Sequence, residues 1–163
     1  MNNYEKGMEI LEEKFGNNKD NIISLATIAL EESGNGKPRP VVRDVDAYYE
    51  DGVFYTVTWG VSSKMLQIAK NNEVAIAPCF GWFHASGKAE NLGWVLKPEN
   101  ADIRIKLRKA FENWYDDANN EDDENCCILA IRLTNGIINL NHHETLVHMN
   151  FANQTATVQG KAL

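Results

Sequence analysis

Val53-Phe54-Tyr55-Thr56-Val57-Thr58-Trp59-Gly60-Val61-Ser62-Ser63-Lys64-Met65-Leu66-Gln67-Ile68-Ala69-Lys70 is the stretch on which the reading of this chain turns. Its first seven residues are β-branched or aromatic, the side chains that fit a pleated, half-buried surface, so they predict a strand. After Gly60 the pattern changes: Met65, Ile68 and Ala69 would lie on one face of a short helix over Ser62–Lys70. A strand that ends where a helix begins leaves the first N–H groups of the helix without partners, beside its positive dipole end. Hydroxyls and a cation, Thr58, Ser62, Ser63 and Lys64, gather there. That combination suits a phosphate. The same serines also read as plain helix caps.

Outward from this stretch the chain alternates strand and turn. Val41–Tyr49 reads as the partner strand of a hairpin turned at Glu50-Asp51-Gly52, entered through Pro38 and Pro40, which confine its start to an edge. Arg43 lies on that strand, where its guanidinium could make paired bonds to phosphate oxygens. Ile22–Leu30 precedes it as a strand. Tyr4, Met8, Leu11 and Phe15 mark one face of an opening helix that ends at Gly16. Beyond Asn71-Asn72, Val74–Phe80 and Phe83–Leu92 form a second hairpin around Gly81, and Pro98 opens a longer helix with Ile103, Leu107, Phe111 and Trp114 inward. Cys126–Leu133 and Gly136–Asn141 read as two further strands, and Leu146–Val158 as one more of mixed period. Residues 1–163 then make a single, mainly β domain: a six- to seven-stranded antiparallel β-barrel with flanking helices, since closing the sheet removes exposed edges.

The 163 residues are 44% hydrophobic and 24% charged, ordinary for a soluble globular domain. Net charge is −7, but six of the 23 acids fall within Asp116–Asn125, an expected solvated loop; without it 16 cations face 17 acids. No basic stripe emerges, so nucleic acid is not an expected partner. No apolar run is long enough to span a bilayer, and Met1–Lys14 is polar and acidic rather than a leader, so the expectation is a cytoplasmic protein with no membrane association. Cys79, Cys126 and Cys127 make no disulfide framework. Gly81–Lys88 approaches a phosphate-binding glycine loop but has five residues between its glycines, and Ala89 stands where a hydroxyl is needed. His143 and His148 are five apart, which on a helix would separate them by about 140°, so no metal site is expected.

The run Thr58-x4-Ser63-Lys64-x2-Gln67-Ile68-x2-Asn71-x2-Val74, followed by Gly87-Lys88-Ala89-Glu90-Asn91-Leu92, resembles the pyridoxamine 5′-phosphate oxidase superfamily, the FMN-binding split β-barrels. The resemblance covers about Ile22–Leu92 and implies a Greek-key split barrel that pairs as a homodimer with FMN at the subunit interface. It implies that Arg43, Ser63 and Lys64 hold the FMN phosphate, that the backbone near Asp44 and Val45 runs beside the ring, that Val57 and Thr58 form a cofactor-contacting strand end, and that Trp82 reaches the ring from the other subunit. Ser63 stands where the family often has arginine. Nothing from Asn125 to Leu163 reproduces the arginine and histidine segment with which authentic pyridoxamine phosphate oxidases grip substrate, and Val57 replaces a histidine found in nitroimidazole-resistance relatives. The resemblance therefore implies a flavin-dependent oxidoreductase acting on an unidentified small molecule. Two alternatives stay open: a flavin store or redox sensor without turnover, and a haem-binding split barrel with His142, His143 or His148 as axial ligand. A deazaflavin in place of FMN is open as well.

Overall fold

The computed structural model describes residues 1–163. Helix α1 (Asn3–Phe15) starts with a reciprocal cap: the Asn2 side chain accepts from the Glu5 N–H at 2.9 Å, and the Glu5 carboxylate accepts from the Asn2 N–H at 2.8 Å. Its Leu11 and Phe15 are buried, Tyr4 and Met8 pack beside them, and the helix stops at Gly16. Strands β1 (Asn21–Ile28), β2 (Pro40–Glu50) and β3 (Val53–Trp59) lead into helix α2 (Ser63–Lys70). Strands β4 (Glu73–Pro78) and β5 (Phe83–Trp94) follow, then a 3₁₀ turn at Pro98–Asn100 and helices α3 (Ala101–Ala110) and α4 (Tyr115–Ala118). The chain finishes with β6 (Cys126–Leu140), β7 (Thr145–Asn150) and β8 (Thr155–Gly160).

All pairings are antiparallel. The order β3-β2-β1-β4-β5-β6 closes on itself through β3–β6, giving a six-stranded barrel, and β7 and β8 extend the sheet beyond β6. The local order β4-β1-β2-β3 is a Greek key. The barrel fold expected from the sequence is thus present, with two strands outside it. Leu11, Phe15, Ile23, Leu25, Phe54, Leu129, Ile131 and Ile138 fill the interior. A smaller cluster of Tyr48, Val95, Leu107, Phe111, Tyr115 and Ile128 lies on the outside, under α3, with Ile103 and Trp114 at its margin.

Several local expectations are corrected. The two strands read at Cys126–Leu133 and Gly136–Asn141 are one: β6 runs through Thr134-Asn135 because β5 pairs with it on both sides, with a register shift at Ser86/Gly87 in place of a turn. Gly87 sits at that shift, where a Cβ would lie 2.7 Å from the Arg132 carbonyl oxygen. Leu146–Val158 holds two strands rather than one, which accounts for its mixed period. In α2, Ala69 is exposed and Gln67 is buried in its place, because Gln67 turns inward to meet Arg43 and Thr27. Asp116–Asn125 is not wholly a solvated loop. Its first residues belong to α4, and the Glu121 side chain is only 16% exposed, held by Arg104, Arg108 and the Tyr115 hydroxyl. The Arg104 hydrogen bonds lower the Glu121 carboxyl to about 2. No helix is long and apolar enough to cross a membrane.

Candidate functional site

β2 and β3 form the split that shapes the site. Their ladder holds only Tyr48↔Tyr55, Tyr49↔Phe54 and Glu50↔Val53. From there β2 stays with β1 over eight pairs, whereas β3 crosses to β6 over seven. Between Val41 and Ala47 the edge of β2 that would face β3 therefore carries no ladder. At the other side of the split, β3 ends at Trp59 and the chain turns through Gly60-Val61-Ser62 into α2. The Gly60 N–H donates to the Asn125 carbonyl at 2.7 Å, and a Cβ on Gly60 would sit 2.8 Å from the Cys127 sulfur, so this close turn admits only glycine without a shift.

Ser62 occupies the N-cap position with extended backbone, yet its side chain caps nothing, and its Oγ is buried with no hydrogen-bond partner. The N–H groups of Ser63, Lys64 and Met65 likewise have no acceptor. Lys64 lies in this open first turn, with Gln67 one turn further along the same face. Gln67 reaches Arg43: its Oε1 accepts from Arg43 Nη2 at 2.9 Å and from the Thr27 hydroxyl at 2.5 Å, and the Thr27 oxygen in turn accepts from Arg43 Nη1 at 2.5 Å. The Leu25 carbonyl adds a longer bond at 3.3 Å.

Every acceptor around Arg43 is thus neutral, and neither Arg43 nor Lys64 belongs to any of the chain's ion pairs. Burial lowers the Arg43 guanidinium below its ordinary range. Burial, and then the neighbouring Arg43 charge, lowers the Lys64 ammonium. Two uncompensated cations, near enough that the charge of Arg43 acts on Lys64, accompany three free helix N–H groups and an orphaned hydroxyl. Such a set of groups suits an anion.

The other residues named from the sequence are placed as follows. Ser63 is exposed at the start of α2. Asp44 points to the outer face and accepts from the Ser24 hydroxyl at 2.7 Å, while Val45 packs against the barrel interior. Thr58 is buried and lines a recess of about 210 Å³ with Trp59 and Cys126. Val57 packs against the cluster under α3. Trp82 is remote within one chain: α2 leads into the start of β4, whereas Trp82 follows its far end. Thr27 was not singled out from the sequence, Ser62 was named only among the hydroxyls at the helix start, and Gln67 only as part of a motif. The three-residue spacing from Lys64 to Gln67 was the signal available for it.

No three His, Cys, Asp or Glu side chains are placed to hold a metal ion. No protein-family model and no curated protein matches the chain. Solved structures do. A protein related to general stress protein 26, of the pyridoxinephosphate oxidase family, from Clostridium acetobutylicum shares 16% identity over 93% of this chain and 96% of its own, with a TM-score of 0.56. The fold is that of the pyridoxamine 5′-phosphate oxidase-like split barrels. Other solved structures align as well. An FAD-binding protein from Mesorhizobium loti matches at 14% identity over 79% of this chain and 90% of its own, with a TM-score of 0.58. A heme binding protein from Mycobacterium smegmatis matches at 14% over 89% of this chain and 59% of its own, with a TM-score of 0.61. At these identities the likeness is one of fold.

Proposed function

We propose that this split barrel binds FMN as a homodimer and uses it to oxidise or reduce a small molecule, with Arg43, Lys64 and the first turn of α2 holding the phosphate. The observation that carries the reading is the pair of cations with no carboxylate between or beside them. A phosphate monoester brings about −1.5 to −2 charges at neutral pH and would compensate both. Its oxygens would accept from Lys64 Nζ, the free edge of the Arg43 guanidinium and the N–H groups of Ser63 and Lys64, and would give the Ser62 hydroxyl an acceptor. Gln67 and Thr27 fix the guanidinium without neutralising it, so they act as positioning groups.

A flat ring beyond the phosphate would find backbone groups on the unladdered edge of β2 near Asp44 and Val45. Val57 and Thr58 would contribute through the strand end, since the Val57 side chain is already committed to the cluster under α3. Trp82 could meet such a ring only from the second subunit. The isoalloxazine supplies electron transfer when bound, and the residues of the chain bind and orient it.

FMN added to purified protein, followed by gel filtration, tests the reading. The expected result is flavin retained near one per chain at the mass of two chains, with steady NADH or NADPH consumption once an acceptor is supplied. Flavin that washes away refutes the proposal. Flavin that stays bound but is reduced by neither nicotinamide reduces the reading to a flavin store or redox sensor.

A further inference from the structure

At the end of the barrel away from α2, the loop from β4 to β5 and the turn from β6 to β7 enclose a groove of about 530 Å³ lined by Trp82, His84, Ile137, Asn139, His143 and Leu146 among others. Phe80 and Trp82, on either side of Gly81, both have left-handed backbone, with φ of 52° and 51°, and the two residues are 95% and 52% exposed. Bulky residues adopt that conformation only at a cost, and burial within the chain offsets none of it at Phe80 and only part of it at Trp82. The opposite wall is of the same kind: Asn141, His142 and His143 have φ of 52°, 53° and 74°. The imidazoles of His142 and His143 stand nearly perpendicular to the indole, at centroid distances of 6.2 and 5.9 Å.

One residue organises both walls. The Asn139 N–H donates to the Trp82 carbonyl at 2.8 Å, and its side-chain Oδ1 accepts from the His143 N–H at 2.9 Å. Because a backbone N–H can only donate, the amide oxygen of Asn139 is fixed toward it and the Nδ2 group faces the imidazole, within reach of both ring nitrogens and nearer to Nδ1. With the nearer Nδ1 as acceptor, a neutral His143 ring carries its proton on Nε2. The groove combines an exposed indole, the aliphatic side chains of Ile137 and Leu146, and an imidazole that offers a ring N–H.

We infer that this groove binds a planar aromatic molecule bearing a carbonyl oxygen, the plane lying against Trp82 and the carbonyl accepting from His143 Nε2–H. The inference extends the proposed flavin function by naming the chemistry of a second binding surface. The occupant is a small molecule separate from the flavin; an isoalloxazine ring presented by a second subunit shares that chemistry and is the alternative the test excludes.

Anthraquinone-2-sulfonate and anthracene-2-sulfonate, titrated into the flavin-free protein by calorimetry, separate the carbonyl from the aromatic plane. The anthraquinone should bind about five- to tenfold tighter, the worth of one neutral hydrogen bond. His143→Gly, which accepts positive φ and keeps the backbone N–H, should bring the two affinities together, whatever the lost imidazole contributes to both. Trp82→Gly should weaken both probes. A long-range ¹H–¹⁵N spectrum should show His143 with bare Nδ1 and protonated Nε2, the latter shifting when anthraquinone is added. Equal affinity for the two probes, or an anthraquinone preference that survives His143→Gly, overturns the inference.

Repeating the titration on FMN-loaded protein tells the two apart: undiminished binding is expected, and competition, which would make the groove part of the flavin site, overturns the inference. If FMN fails to bind at all while the anthraquinone preference holds, the flavin proposal fails and this one stands.

Discussion

Lys64→Met removes one charge from the cation pair while keeping most of the side-chain volume, and two consequences of opposite sign follow. Lys64 has no partner in the chain, and burial followed by the Arg43 charge lowers its ammonium. A cation whose folded-state value lies below its unfolded value of 10.5 destabilises the fold at neutral pH, and the penalty fades as pH rises toward 10.5. The variant without ligand should therefore unfold at a higher urea concentration than the parent at pH 7, with the difference narrowing in alkaline buffer. For FMN the sign reverses. A charge-assisted bond to phosphate contributes about 1.5 to 3 kcal/mol, so its loss should weaken FMN binding by roughly ten- to a hundredfold.

Riboflavin, which lacks the phosphate, is the control, and quenching of flavin fluorescence is the assay. FMN affinity should fall while riboflavin affinity holds, and the FMN loss should shrink at high ionic strength, which screens partly exposed charges. Equal loss for the two flavins would place Lys64 away from the phosphate. Lower stability of the ligand-free variant would mean that the ammonium has a stabilising partner, and the reasoning would be wrong.

Other perturbations separate binding from folding. Ser62→Ala deletes a buried hydroxyl that has no partner, so thermal stability without ligand should hold or rise, with FMN binding weaker by several-fold if the hydroxyl meets phosphate. Arg43→Met should weaken FMN binding and also destabilise the ligand-free fold by about 1 to 3 kcal/mol, because Thr27 and Gln67 lose their shared donor in a buried setting. Glu121→Gln tests the network under α3. The Glu121 carboxyl, about 2 when folded against an ordinary 4.5, adds stability that is complete above 4.5 and disappears as pH falls toward 2. Acid titration followed by circular dichroism should show the parent losing stability across that window more steeply than the variant. Gly87→Ala drives a Cβ to 2.7 Å from the Arg132 carbonyl oxygen and should lower the melting temperature, an overpacking penalty of about 1 to 3 kcal/mol.

The elements legible in the sequence are those whose side chains answer to one periodicity. Val53–Trp59 alternates between barrel interior and outer cluster, and its predicted limits are those of the strand. The opening helix ends at Gly16 as its four-three-four spacing requires. What could not be read is where two demands compete. β6 has β5 along one edge, and along the other it exchanges β3 for β7, so Thr134-Asn135, polar enough to suggest a turn, is carried through by its partners.

Ala69 has the better hydrophobic credentials, yet Gln67 is buried because Arg43 needs neutral acceptors, a requirement that only the juxtaposition of β1, β2 and α2 creates. Glu121 shows the same limit. Nothing in an acidic run distinguishes the one carboxylate that Arg104 and Arg108 will draw in. Arg43 and Lys64 were legible as candidates from their place beside a strand-to-helix junction, whereas their lack of any carboxylate partner could be seen only once the chain was folded.

The structure of the protein crystallised with FMN addresses the central claim most directly. The account predicts the phosphorus atom at the N-terminus of α2, with phosphate oxygens within hydrogen-bonding distance of Lys64 Nζ, the Arg43 guanidinium and the N–H groups of Ser63 and Lys64. Phosphate density elsewhere, with Arg43 and Lys64 left facing solvent alone, would contradict it.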